Sequence, residues 1–207
     1  MRAGWVLALG LALLAGCGED GGVRNAPAAG PRASEADSLA ITDVANAVLG
    51  GQSPGHICNV LLDPGLVEDF YRTKPACRRV FAADAGATPT TAEVTDVDVE
   101  GARGTAVVSA PGGATGTWNF VRTPTGWQVE DWTPEYLHSI FDVAFGPEYQ
   151  ASGADDPLGT PRVRECVASE FQEKEDAQIR AAAKAYLRGG DSAEKLVADA
   201  VEACSKG

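Results

Sequence analysis

Between residues 92 and 132 the chain alternates apolar and polar residues in four short runs separated by glycine-rich breaks. Period-two runs joined by short turns dictate an antiparallel β-meander. The runs are AEVTDVDVE, RGTAVVSA, GTWNFVRT and GWQVEDW, with Gly101, Pro111-Gly112-Gly113 and Pro124-Thr125-Gly126 between them. In the first run, alternation places Thr95, Val97 and Val99 on one face and Asp96 and Asp98 on the other. A four-stranded sheet with one apolar face needs a second layer to cover it.

Helical segments flank the meander. Residues 38–49 put Leu39, Val44 and Val48 on one side of a helix, which Gly50-Gly51 ends. Ser53-Pro54 and Asp63-Pro64 are helix starts, and residues 75–83 form a further short helix. Helical spacing resumes at Pro134, then at 162–171, 173–187 and 192–203, with Asp191 as N-cap of the last. The expected fold class is α+β: N-terminal helices packed on an antiparallel four-stranded, cone-like sheet, followed by a C-terminal helical bundle.

The amino terminus carries a different signal. Met1-Arg2 is positive, residues 5–15 are apolar apart from Gly10, and Leu14-Ala15-Gly16-Cys17 follows. That order describes a secretory signal, and the run is shorter than the roughly 20 residues a membrane-spanning helix needs. Residues 14–17 resemble the lipobox of bacterial lipoproteins. The resemblance implies a cut between Gly16 and Cys17, diacylglycerol on the Cys17 sulfur with fatty acyl chains such as palmitate, and anchoring on the outer, extracytoplasmic side of the cell membrane. Two or more acyl chains hold stably where one is marginal. From Gly18 the chain is rich in Gly, Ala and Pro, too poor in large apolar side chains to order itself. The expected division is signal peptide 1–16, lipidated Cys17 and tether 17–36, an α+β unit 37–133 and a helical extension 134–207.

Formal net charge is −12, and loss of Arg2 with the signal makes it −12 − 1 = −13. Such a balance argues against a nucleic-acid partner and against electrostatic docking on anionic lipid. With Cys17 set aside, four cysteines remain, and four permit three pairings. They fall into two local sets inside separate helical regions, so Cys58–Cys77 and Cys166–Cys204 are the expected disulfides of an exported chain.

Helices followed by a meander that ends in GWQVEDW resemble the nuclear transport factor 2-like superfamily over roughly residues 36–133. Trp118, Phe120, Gly126, Trp127 and Trp132 carry the likeness. It implies a curved sheet wrapped on helices, able to enclose a pocket in which some members isomerise or cyclise a substrate and many only bind one. Trp118, Phe120, Trp127 and Trp132 are then the candidate ligand-binding residues, although core packing is the ordinary use of such a cluster.

Acid–base candidates are sparse. His56 and His138 are the only histidines, and both suit surface or packing roles. Asp96 with Asp98 reads as a solvent face, Glu130-Asp131 is the remaining carboxylate pair, and Asp142, Asp155 and Asp156 lack calcium-loop spacing. No phosphate loop, GxSxG or HExxH occurs. The expected function is a non-enzymatic, membrane-tethered module without cofactor or metal, binding a small apolar ligand or an envelope protein. An isomerase- or cyclase-like enzyme and a purely structural envelope role are the alternatives.

Overall fold

A computed structural model describes residues 33–83, 91–146, 149 and 156–206. The expected signal peptide, Cys17, the tether up to residue 32 and Asp155 lie outside the described residues.

The first helix, α1 (Glu35–Leu49), begins three residues before the start expected from periodicity. Ser34 Oγ accepts from the Asp37 amide at 3.1 Å and so caps the first turn. Residues 34–36, assigned to the tether, therefore belong to the folded unit. Its buried stripe is Ile41, Val44, Ala45 and Val48. Leu39 is 60% exposed, because it sits about 200° around the helix from Ile41 and the stripe follows Ile41. A short helix α2 (Pro54–His56) runs into a π-helical turn, Ile57–Leu61, and Asp63 caps α3 (Pro64–Tyr71). α4 (Lys74–Ala83) completes the N-terminal layer.

The four strands are β1 (Glu93–Glu100), β2 (Arg103–Ser109), β3 (Thr115–Thr123) and β4 (Gly126–Trp132), antiparallel in chain order. A bulge in β1 breaks the alternation expected there. Thr95 pairs with Val107 and Asp98 with Thr105, so Thr95 shares the face of Asp98 rather than that of Val99. Asp96, in the bulge, has φ 49°. An irregular edge strand bearing Glu93, Asp96, Asp98 and Glu100 is a poor template for further strands. The opposite edge is covered: Leu62 bridges β4 at Val129, the Asp63 amide donates to Val129 O at 2.9 Å, and Gln128 Nε2 donates to Val60 O at 2.8 Å.

The apolar face holds Ala106, Val108, Trp118, Phe120, Trp127, Val129 and Trp132, all buried. Two glycines notch it where helices cross. A Cβ on Gly104 would come 2.9 Å from Ile41 Cδ1 of α1, and one on Gly116 would come 2.6 Å from the Tyr136 nitrogen. Tyr136 belongs to α5 (Pro134–Phe145), which leads into α6 (Pro161–Gln172), α7 (Asp176–Arg188) and α8 (Asp191–Ser205). The cap of α8 is Gly190 at φ 57°, and Asp191, expected there, is the first helical residue. The left-handed geometry of that position favours glycine.

The interior is continuous from the sheet into the C-terminal helices. Phe141 stacks on Phe171 at 4.2 Å and Phe145 on Phe171 at 5.4 Å, with Ile179 and Ala183 fully buried beside them. Both expected disulfides are present. Cys58–Cys77 joins the π-turn to α4, and Cys166–Cys204 joins α6 to α8. Each stabilises by about 3–4 kcal/mol on the loop-entropy model. Among the described residues no helix is long and apolar enough to cross a membrane.

Candidate functional site

The aromatic residues singled out in the sequence come together inside the sheet and fill it. Trp132 lies edge-on to Phe70 at 4.9 Å and to Trp118 at 6.0 Å, and Trp118 meets Phe120 at 6.3 Å and Tyr136 at 5.1 Å. Burial pushes the Tyr136 phenol well above the usual tyrosine range, with the Trp118 side chain opposing the shift. The Trp132 indole N–H is buried without a hydrogen-bond partner among the described residues, which fits a dry, ring-packed interior. Trp127 sits at the rim: Arg122 lies over its ring at 4.6 Å, and its Nε1 donates to Asp37 Oδ1 at 3.3 Å. Asp37 is also bonded by Ser34 and by Arg122. The Ser34 bond leads these in holding its carboxyl below the usual range, against a smaller upward push from desolvation. None of the four aromatic candidates lines the cleft between α3, α4, α7 and α8.

The polar candidates have structural occupations. His138 Nδ1 contacts Phe171 O at 3.0 Å, and Gln172 Nε2 donates to His138 O at 3.3 Å, tying α5 to α6. His56 is exposed at the end of α2. Glu130 pairs with Arg103 at 3.0 Å and Asp131 with Arg180 at 2.7 Å. Asp96 and Asp98 are exposed on β1, and Asp98 accepts from the Val99 amide. Cys58, Cys77, Cys166 and Cys204 are all in disulfides, and among the described residues no metal-binding group of His, Cys, Asp and Glu forms.

The feature that sequence reading missed is a basic stripe on α7. Arg180, Lys184 and Arg188 recur every four residues and so share one helix face, which meets α3. At one end of this seam Arg180 bonds Asp69 at 2.9 Å and Asp131 at 2.7 Å, and Lys184 reaches Asp69. The Arg180 guanidinium also lies 4.9 Å from the Phe70 ring centre. Burial pushes the Asp69 pKa up, but the combined bonds from Lys184 and Arg180 outweigh it and leave the pKa lowered. At the other end, Arg188 donates to Phe70 O through Nε and to Asp69 O through Nη2, both at 2.8 Å, closing the last turn of α3.

Beyond Arg188 a cleft of about 600 Å³ opens between the ends of α3 and α4 and those of α7 and α8. Arg72, Arg79 and Arg188 line it with Tyr71, Tyr186 and Ser192, while Val80 and Leu187 supply apolar wall. Among the described residues none that line it is Asp or Glu. Among the described residues Arg72 and Arg79 form no ion pair with a carboxylate. Burial, and then the neighbouring Arg72 charge, pull the Arg188 pKa down. Arg72 holds φ 66°, a left-handed backbone that a Cβ-bearing residue rarely adopts. The four-residue spacing of the stripe was visible in the sequence. The meeting of Arg188 with Arg72, 116 positions away (188 − 72), was not.

No protein-family model, curated protein or solved structure matches the chain.

Proposed function

We propose that this chain is a lipid-anchored, extracytoplasmic, non-enzymatic binding module of nuclear transport factor 2-like layout, whose ligand sits in the outer cleft rather than inside the sheet. The observation that carries this reading is the contrast between the two concavities. The inside of the sheet is filled by Trp118, Phe120, Trp132 and Phe70, while the arginine cleft is open and, among the described residues, no carboxylate lines it. Binding sites are concave, mostly apolar and fitted with a few convergent polar groups, which describes the cleft. The Leu14-Ala15-Gly16-Cys17 run and the glycine- and proline-rich segment after it support anchoring by lipid on Cys17.

Two measurements test it. Full-length protein grown with a labelled fatty acid should take up label and sediment with membranes, and Cys17→Ser should abolish both. Label retained by Cys17→Ser would contradict the anchor. For the binding site, Trp118→Phe should leave ligand affinity unchanged while Arg79→Ala reduces it. The opposite order would return the site to the sheet interior.

A further inference from the structure

We infer that the cleft formed by α3, α4, α7 and α8 takes a phosphate ester whose organic part is apolar or aromatic; this rests on the reading of the chain as a binding module and names its ligand class. Three arginines line a cleft that no carboxylate lines among the described residues, in a chain whose net charge is −12. The overall field repels anions, so this local focus of positive charge is held against the composition. A single carboxylate neutralises one guanidinium. A phosphate monoester carries about −1.5 to −2 charges near pH 7 and offers three acceptor oxygens. Planar N–H forks match that geometry.

Arg188 is already fixed, because Nε and Nη2 bond the carbonyls of Phe70 and Asp69, and its remaining N–H groups are not committed there. A preorganised donor loses less side-chain freedom when it binds. Ser192 lies in the first turn of α8 and brings the positive end of that helix dipole to the rim. The acids of that turn, Asp191 and Glu194, are not lining residues. Val80, Leu187 and the two tyrosines form the wall against which an apolar or aromatic body packs. The disulfides brace both walls: Cys77 neighbours Ala76 in α4, and Cys204 ties down α8.

The backbone of Arg72 is an independent observation. Glycine would meet the geometry of that cap more easily, yet arginine occupies it at φ 66°. Strained positions of this kind cluster at active sites, ligand clamps and switch regions. Exchange of Arg72 for glycine therefore separates folding from binding, since it relieves strain and removes a donor at once.

The test is calorimetric titration of the full-length chain, in micelles of uncharged detergent, with phenyl phosphate, inorganic phosphate, benzoate and short-chain phosphatidic acid. Phenyl phosphate is expected to bind at least about tenfold more tightly than either inorganic phosphate or benzoate. Arg72→Gly and Arg79→Ala should each weaken it by about tenfold or more, the range for a lost charge-assisted bond. Arg72→Gly should do so with no fall in Tm, while Arg103→Ala, on the sheet, should leave affinity unchanged. Tighter binding of short-chain phosphatidic acid than of phenyl phosphate identifies a lipid headgroup as the source, and the reverse order a soluble ester. Benzoate bound in an Arg79-dependent way with phenyl phosphate unbound would overturn the phosphate assignment and keep the binding module. Absence of binding by all four probes would overturn both.

Discussion

The two ends of the seam between α3 and α7 use the same residue type in opposite ways. At the sheet end, Arg180 and Lys184 are met by Asp69 and Asp131, and the guanidinium covers the Phe70 ring. At the cleft end, Arg72, Arg79 and Arg188 gather where, among the described residues, no carboxylate lines the wall. The first arrangement is complete within the chain and joins the C-terminal helices to the sheet. The second concentrates repulsion, which the proposed phosphate ligand would relieve. The arginines along this seam thus differ in use: Arg180 is spent on carboxylates of the fold, Arg188 closes α3 and also lines the cleft, and Arg72 and Arg79 join it there from α3 and α4.

The largest expected effect comes from undermining the sheet end from below. Trp132 packs on Phe70, the ring under Arg180. Trp132→Ala should cost about 3–5 kcal/mol by cavity formation, read by denaturant unfolding, and should loosen the clamp with it. A loss below about 1 kcal/mol would mean that the interior is not packed as described. Arg180→Ala removes the shared partner of Asp69 and Asp131 and leaves Lys184 as the remaining partner of Asp69. Because the group is partly exposed, the expected loss is about 1–2 kcal/mol, measured in the same assay.

Acid should single out the paired end as well. The Asp69 carboxyl is held below the ordinary carboxylate range, so its contribution is complete above about pH 4 and is lost as pH falls through the lower folded value. Stability measured from pH 6 downward should therefore hold until about pH 4 and then decline. In Arg180→Ala the Asp69 pKa should move back toward the ordinary carboxylate value, which makes the acid loss smaller without moving its onset, because the unfolded-state carboxyl sets where the loss begins. The smallest effect belongs to the cleft end: Arg79→Ala, an exposed position without an ion pair, should change stability by no more than about 0.5 kcal/mol. A loss of 2 kcal/mol there would assign Arg79 to the fold.

Much of this architecture was legible from sequence because its signals are local. Alternation and glycine breaks located four strands, Asp63-Pro64 located a helix start, and the separation of the cysteines into two helical regions gave both disulfides. Local rules failed where tertiary context decides. The β1 bulge moves Thr95 across the sheet, and Ser34 extends α1 into what composition alone marks as tether. The cone-like pocket implied by resemblance is absent from the described interior for a reason of volume: Trp118, Phe120 and Trp132 are large enough to fill it when Phe70 enters from α3. The cleft was hidden more deeply. Arg72, Arg79 and Arg188 are unremarkable singly, and no periodicity links α3 and α4 to the end of α7. Only the left-handed backbone at Arg72 marks the place, and a sequence does not reveal a torsion angle.

Arginine side-chain resonances report most directly on the division between the two ends. In a ¹H–¹⁵N spectrum of the Nε–H groups, addition of phenyl phosphate should shift Arg72, Arg79 and Arg188 together while Arg180 stays where it is. A shift at Arg180, or no movement at the three cleft arginines, would contradict the assignment of one end to the fold and the other to a ligand.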